Sequence, residues 1–210
     1  MGRRKRSMTV NYIVFVVIGV LLIIGGIWWW VDSNPAYANQ PIIVGQGLGQ
    51  VQLKATTYAE VQRIVGKKFI EINGGVGEIS SQNSVQKFTD LGLEYKQIGL
   101  TFGFRSFASD GIAKESLKLR SIGIGCVKRG SGCVFSGKTN KGIGLGSTLK
   151  EVREAYGDSY NPYISWRIIK PEGISLSAFE VPDRKGYGSQ DADKIDGIII
   201  FDPADLEEFR

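Results

Sequence analysis

Two cysteines are the residues best placed to do chemistry in this chain. Cys126 and Cys133 flank six residues that include two glycines, so the intervening loop is flexible enough for the two thiols to meet. In an oxidising compartment such a pair forms a structural disulfide, and the spacing is not the Cys-x-x-Cys of redox-active pairs. The sequence therefore predicts a disulfide bond between Cys126 and Cys133.

The chain contains no histidine among its 210 residues. This composition excludes Ser-His-Asp and Cys-His catalysis and histidine-ligated zinc, and two thiols alone are too few for a metal site. The glycine-rich stretch before Ser147 lacks the lysine that a phosphate-binding loop requires. We therefore expect no catalytic residue, no cofactor and no metal.

Carboxylates remain as candidate acids and bases. Asp191, Asp193 and Asp196 resemble a calcium loop, but the spacing is one residue too long and the bidentate glutamate is missing, so a polar turn is the preferred interpretation. A Glu/Asp pair could also serve an extracytoplasmic hydrolase of cell-envelope glycan. No such pair stands out from the solvated background, so the hydrolase is kept as the alternative to a non-catalytic domain.

Two capping boxes predict the helices that organise the chain. Thr57 with Glu60, and Thr148 with Glu151, have the Thr-x-x-Glu spacing in which each side chain bonds a backbone N–H at the start of a helix. Apolar residues follow at helical spacing in both copies, and each copy ends at a glycine nine residues after the threonine. Two short amphipathic helices in the same register are expected.

Strand-like segments follow each predicted helix in the same order. The segments around 98–104 and 173–179 alternate cleanly, with Leu100, Phe102 and Phe104 on one face of the first. The predicted fold class is α+β, with an N-terminal transmembrane helix followed by two tandem units of one helix and three antiparallel strands. The units are residues 42–125 and 138–210, joined by a Cys-containing connector at 126–137, and residues 74–84 are expected to form a mobile loop.

The N-terminal region predicts a membrane anchor. Residues 1–9 are a basic tail, residues 10–31 are almost wholly apolar and long enough to span a bilayer as a helix, and residues 32–41 resemble a linker. The basic tail places the N-terminus in the cytoplasm. We expect a single-pass protein of the cell (inner) membrane with an extracytoplasmic C-terminal domain. The alternative is a signal peptide cleaved near Ala38, at a small-x-small site.

A candidate partner-binding surface lies in the second unit. Ser175, Ser177 and Phe179 are out of phase with the apolar residues of their predicted strand, so they should face away from the core together with the aromatic Trp166. Nucleic acid is not an expected partner, because the net charge of +5 comes mostly from the basic tail. The expected partners are a protein, through this face, and the lipid bilayer, through residues 10–31.

The pattern Gly-x-Thr-x-x-Glu-Val-x-x-x-Tyr-Gly, followed by three strands, resembles the superfamily of the beta-lactamase inhibitor protein and the small lipoproteins of outer-membrane assembly. The resemblance covers roughly residues 46–124 and 142–201. It implies tandem helix-plus-sheet units that bind proteins through a sheet face or loops, and it carries over no inhibitory residue. The chain departs from the superfamily in lacking a lipidation cysteine and in placing its cysteine pair between the units. The expected function is a membrane-anchored, extracytoplasmic, non-catalytic domain that binds a protein or an envelope component.

Overall fold

Strands make up most of the regular structure. The computed structural model describes residues 35–81, 84–107, 109, 111–126, 133–157, 166–178 and 194–205. Two helices occur in these ranges, α1 (Tyr58–Val65) and α2 (Leu149–Tyr156). Short 3₁₀ turns occupy Pro35–Asn39, Lys114–Ser116 and Pro203–Asp205.

The strands form one small and one large antiparallel sheet. The small sheet contains β1 (Ile42–Ile43), β2 (Gly47–Leu48) and β3 (Val51–Gln52). The large sheet contains β4 (Ile70–Ser81), β5 (Ser84–Tyr95), β6 (Leu100–Phe107), β7 (Leu119–Gly125), β8 (Trp166–Lys170), β9 (Ile174–Ala178) and β10 (Gly197–Phe201). Its spatial order is β4-β5-β6-β7-β10-β9-β8.

The two halves of the chain meet where β7 pairs with β10. Ile124 lies opposite Ile198 and Ile122 lies opposite Ile200, so the ladder runs without interruption from one half to the other. Each half also joins its helix to its last strand in the same way, since the cap residues Thr57 and Thr148 form β-bridges with Lys118 and Lys194. The described residues belong to one compact unit that begins at Pro35.

Both helices begin with the capping box that their sequences predict. In each case the threonine side chain accepts a hydrogen bond from the backbone N–H of the glutamate, and the glutamate side chain accepts from the backbone N–H of the threonine. These bonds satisfy two N–H groups that a helix start leaves without an intrahelical partner. The helices end at Gly66 and Gly157, whose φ angles are 123° and 70°.

One face of the large sheet packs against the helices and forms the core. The predicted face of Leu100, Phe102 and Phe104 is buried, and Val61 and Val152 of the two helices belong to the same buried cluster. Each such side chain contributes about 1.5–3 kcal/mol of burial free energy. Other buried residues of the central strands include Leu93, Tyr95, Leu119, Ile122, Ile124, Ile174, Leu176, Ile198 and Ile200.

The predicted α+β fold class, with two tandem units of one helix and three antiparallel strands, is wrong. The described chain is mostly β, and the strands of both halves form one seven-stranded sheet. The first half supplies four of these strands, because β4 lies outside β5. Continuous pairing of β7 with β10 avoids two exposed strand edges at the middle of the molecule, which a pair of separate sheets would present to solvent.

The predicted membrane helix at residues 10–31, with the basic tail before it, lies outside the described residues. From Pro35 onward, no helix in the described ranges is long and apolar enough to cross a bilayer. The two helices that are present have eight residues each.

Within the expected loop at 74–84, the described residues form strands instead. Ile70–Ser81 and Ser84–Tyr95 form a long hairpin, in which β4 pairs with β5 from Ile70 opposite Glu94 to Ser81 opposite Ser84. A bulge lies between Asn73 and Gly75, and Gly75 has a φ of 98°, a conformation that favours glycine. The glycines that suggested a loop therefore form a bulge within a strand.

Residues 35–41 are part of the fold rather than a linker. Tyr37 and Ala38 are buried, and the Tyr37 hydroxyl donates a 2.8 Å hydrogen bond to the backbone oxygen of Leu48. Burial raises the pKa of Tyr37 to about 12, so this hydroxyl stays protonated as a donor. Ile42 then donates a backbone hydrogen bond to Lys138, which joins this segment to the second half.

Candidate functional site

The face of the large sheet opposite the core, which we call the outer face, is lined by small side chains at its centre. One row across the strands contains Gly92, Gly103 and Ser121. The next row contains Glu94, Thr101, Gly123, Ile199 and Ser175. Thr101, Gly103, Ser121 and Gly123 are all partly exposed, so a partner can approach the backbone of β6 and β7 closely.

Packing on the outer face favours glycine at position 103 but does not require it at position 123. A Cβ atom on Gly103 would overlap the hydroxyl oxygen of Ser121 on the adjacent strand. A Cβ atom on Gly123 would instead lie in ordinary contact, 3.5 Å from the Cβ of Thr101. The floor at Gly103 therefore cannot accept even an alanine without a shift of its neighbour.

An arginine-lined depression of about 200 Å³ lies at one end of this floor. Its lining includes Gly103, Ser121, Asp90, Arg105 and Arg120. The Arg105 guanidinium makes two hydrogen bonds to the Asp90 carboxylate, from Nε at 2.7 Å and from a terminal nitrogen at 3.1 Å. This fork holds the arginine plane in a fixed direction at the rim of the depression.

Further contacts immobilise both arginines. The Arg105 guanidinium carbon lies 3.8 Å from the centre of the Phe88 ring, which is a cation–π arrangement. Arg120 forms a 3.1 Å ion pair with Asp205, and Lys54 joins the same group through Asp202 at 3.1 Å. The charges at this end of the outer face are therefore balanced by carboxylates rather than strongly positive.

A second depression, of about 260 Å³, lies at the other end of the floor. It is lined by Glu94, Lys96, Thr101 and Gly125, and it reaches Cys126. Cys126 is bonded to Cys133, with the two Cα atoms 4.5 Å apart, so the predicted disulfide is confirmed. The bond ties the end of β7 to the start of the segment that leads into the second half.

The β4 side of the outer face is apolar. Ile70 and Ile72 lie opposite Glu94 and Gly92, on the same face as the floor, and their side chains are 48 % and 37 % exposed. The outer face thus combines an apolar border, a floor of small residues and two polar depressions. This combination of apolar surface with a few fixed polar groups is typical of binding surfaces.

The structure only partly describes the predicted partner-binding residues. Ser175 lies on the outer face as predicted, but it is only 2 % exposed, so its predicted accessibility is wrong. In the cross-strand register it lies between Ile199 of β10 and Ile169 of β8. Ser177 is partly exposed. The backbone of Trp166 belongs to β8, but the structure does not describe its side chain. Phe179 lies outside the described residues.

Several carboxyl groups have a pKa below the ordinary value, which favours their ionised form. Hydrogen bonds from Lys114 and Tyr58 lower the pKa of Glu71, and a hydrogen bond from the Ala204 backbone, helped by Lys54, lowers the pKa of Asp202. A general acid in a glycosidase needs the opposite shift, a raised pKa. The carboxyl groups of Glu60, Glu71, Glu151 and Asp202 all have a lowered pKa, as in structural ion pairs and helix caps.

A cation site is not formed by the described residues either. No group of three or more potential metal ligands comes together within the described ranges. Asp196 is described, and its backbone pairs with Ser177 and with Cys126. Asp191 and Asp193, the other members of the calcium-like sequence, lie outside the described residues.

Only some residues of the outer face could be placed there from the sequence. The alternation of Thr101 and Gly103 with buried neighbours in β6 placed them on the solvent side. The ion pair of Arg105 with Asp90 depends on the pairing of β5 with β6 and could not be found from spacing along the chain.

The geometry defines a class of fold. An antiparallel sheet is covered by helices on one face, and its other face is partly exposed. Comparison with protein-family models, with curated proteins and with solved structures gives no match for this chain. The resemblance to the beta-lactamase inhibitor superfamily therefore stays a prediction.

Proposed function

We propose that this protein is an extracytoplasmic, non-catalytic domain that binds another protein or an envelope component through the outer face of its large sheet. The observation that carries the proposal is the accessible floor of Thr101, Gly103, Ser121 and Gly123 between an apolar border and two polar depressions. A flat floor of small residues lets a partner surface approach the sheet closely and bury apolar area along Ile70 and Ile72.

The disulfide supports the extracytoplasmic part of the proposal. Disulfide bonds form and persist in oxidising compartments and are rare where thiols are kept reduced. The bond between Cys126 and Cys133 closes a short loop at the border of the second depression. The binding surface is therefore expected to have its final shape only after export and oxidation.

The experiment that tests the function is chemical crosslinking of the full-length protein in its native envelope, followed by mass spectrometry of the captured material. Thr101→Arg places a long charged side chain on the floor and should remove a stoichiometric partner. Gln50→Arg adds the same charge at an exposed turn of the small sheet, on the core side, and should retain the partner.

The two variants separate the outcomes. Loss of the partner with Thr101→Arg alone supports the outer face as the binding surface. Equal capture by both variants would show that binding occurs elsewhere. Absence of any stoichiometric partner from the wild-type protein would contradict the proposal, and turnover of cell-envelope glycan by the purified protein would establish the hydrolase instead.

A further inference from the structure

Strand β4 is a long edge strand of the large sheet that the described residues form. It has twelve residues, and within the described part of the chain it pairs only with β5. The backbone groups on its other side can be satisfied by water or by another extended chain. An edge of this length offers a ladder of main-chain hydrogen bonds to a single extended segment.

The features that usually protect a strand edge are mostly missing from β4. The sequence from Ile70 to Ser81 contains no proline, lysine or arginine, which are the residues that commonly prevent edge pairing. The protective features that remain are the bulge between Asn73 and Gly75 and the two glutamates, Glu71 and Glu78. This bulge divides the edge into two regular stretches and leaves each able to pair.

Aliphatic side chains are exposed on both sides of this edge. Ile70 and Ile72 point to the outer face, whereas Val76 lies opposite Thr89 on the other face and is 76 % exposed. Aliphatic side chains that lie opposite each other on paired strands stabilise the pairing. An added strand with aliphatic residues at alternate positions would bury these side chains.

The charges of β4 favour a basic strand. The ionisable residues in β4 are Glu71, which is already paired with Lys114 and Tyr58, and Glu78. Glu78 is more than half exposed, and its pair with Lys87 at 3.5 Å is of the exposed kind that contributes little. A second copy of this chain would bring no positive side chain of β4 to Glu78, whereas a strand with lysine or arginine would place an opposite charge beside it.

We propose that β4 binds an extended, basic peptide segment of another protein by adding it to the sheet as an eighth strand. This inference rests on the proposed binding function and specifies both the chemistry of the partner and the way it is held. The partner strand would lie beside Ile70 and Ile72, at the border of the outer face, so the two surfaces can act together.

The test is the selection of binders from a displayed library of ten-residue peptides, using the full-length protein as bait. Selected peptides are then titrated by fluorescence anisotropy against the wild type and against variants. The double variant Ile72→Lys/Val76→Lys introduces charge repulsion along the edge and should weaken binding at least tenfold. The control Val85→Lys changes a valine of similar exposure, 60 %, on the inner strand of the same hairpin and should bind within threefold of the wild type.

The expected result is a set of peptides with alternating aliphatic residues and at least one lysine or arginine, sensitive to the double variant and not to the control. Peptides that lose affinity with Thr101→Arg but not with the double variant would overturn the edge proposal while supporting the outer face. Failure to select any peptide, or self-association of the protein that Ile72→Lys/Val76→Lys abolishes, would also overturn it. Hydrogen exchange of β5 amides in the double variant shows whether the hairpin remains folded.

Discussion

The glutamates of the two capping boxes make the stability of the fold depend on pH. Glu60 and Glu151 each accept hydrogen bonds from the backbone and side chain of their threonine, and these bonds lower the pKa of both carboxyl groups below 4.5. A carboxyl group whose pKa is lower in the folded state contributes stability above its unfolded pKa. That contribution is lost as the pH falls through the lowered folded pKa.

We therefore expect the double variant Glu60→Gln/Glu151→Gln to have a flatter stability profile in acid. The amide can still accept from the N-cap N–H but does not titrate, so the loss of stability between pH 6 and pH 3 should be smaller than in the wild type. Urea unfolding at both pH values measures the difference. Glu154→Gln, on the exposed side of α2, is the control and should follow the wild type. Identical acid profiles for the double variant and the wild type would contradict this prediction.

At the scale of elements, structure that depends on residues close together in the chain was predicted correctly. Structure that depends on pairing with distant residues was not. The helices were found because the threonine, the glutamate and the terminal glycine lie within one stretch of chain. The β4–β5 hairpin was missed because Gly74, Gly75 and Gly77 weaken the strand pattern, while the pairing that forms the strand comes from β5. Gly77 also lies against the Phe88 ring, a reason for glycine that appears only in the folded hairpin.

The pairing of strands between the two halves also could not be predicted from the sequence pattern. The order of elements in each half was recognisable, but which strands lie next to each other depends on contacts between distant residues, such as Ile122 with Ile200. The placement of Ser175 between Ile199 and Ile169 also results from strand pairing. The candidate surface was therefore placed on the correct face of β9 by alternation, with the wrong accessibility.

The connector between the halves provides a stability prediction. Replacing both cysteines, Cys126→Ser/Cys133→Ser, should lower the free energy of unfolding by about 2 kcal/mol, because the unfolded chain gains the freedom that the short closed loop removes. Urea unfolding measures this change. Reduction of the wild type should move its unfolding curve to that of the variant, and no effect of reduction would mean that the bond does not constrain the unfolded chain.

At the scale of the whole molecule, a continuous sheet implies that the halves unfold together. The ladder from β4 to β8 includes both halves, and the buried cluster contains residues of both helices. Independent tandem units would instead lose their protection one at a time. The continuity at β7 and β10 therefore makes cooperativity the most direct test of the architecture.

Val152→Ala removes buried side-chain volume in the second half and should cost about 2 kcal/mol. In a cooperative unit, the slowest-exchanging amides of β6 in the first half should lose the same protection as those of β10. Native-state hydrogen exchange followed by mass spectrometry measures both. Val61→Ala is the matched variant in the first half and should give the same pattern. Loss of protection confined to the mutated half would show that the halves unfold separately.

The burial of Tyr37 and Ala38 sets a condition on any proteolytic maturation at this site. A protease needs an extended, accessible backbone, but in the folded protein Ala38 is buried and accepts a hydrogen bond from the Ser136 backbone. Cleavage after Ala38 would also release the Tyr37 side chain from its place beside Leu48. Proteolysis after Ala38 would therefore have to occur before this segment folds, because the folded structure buries the site.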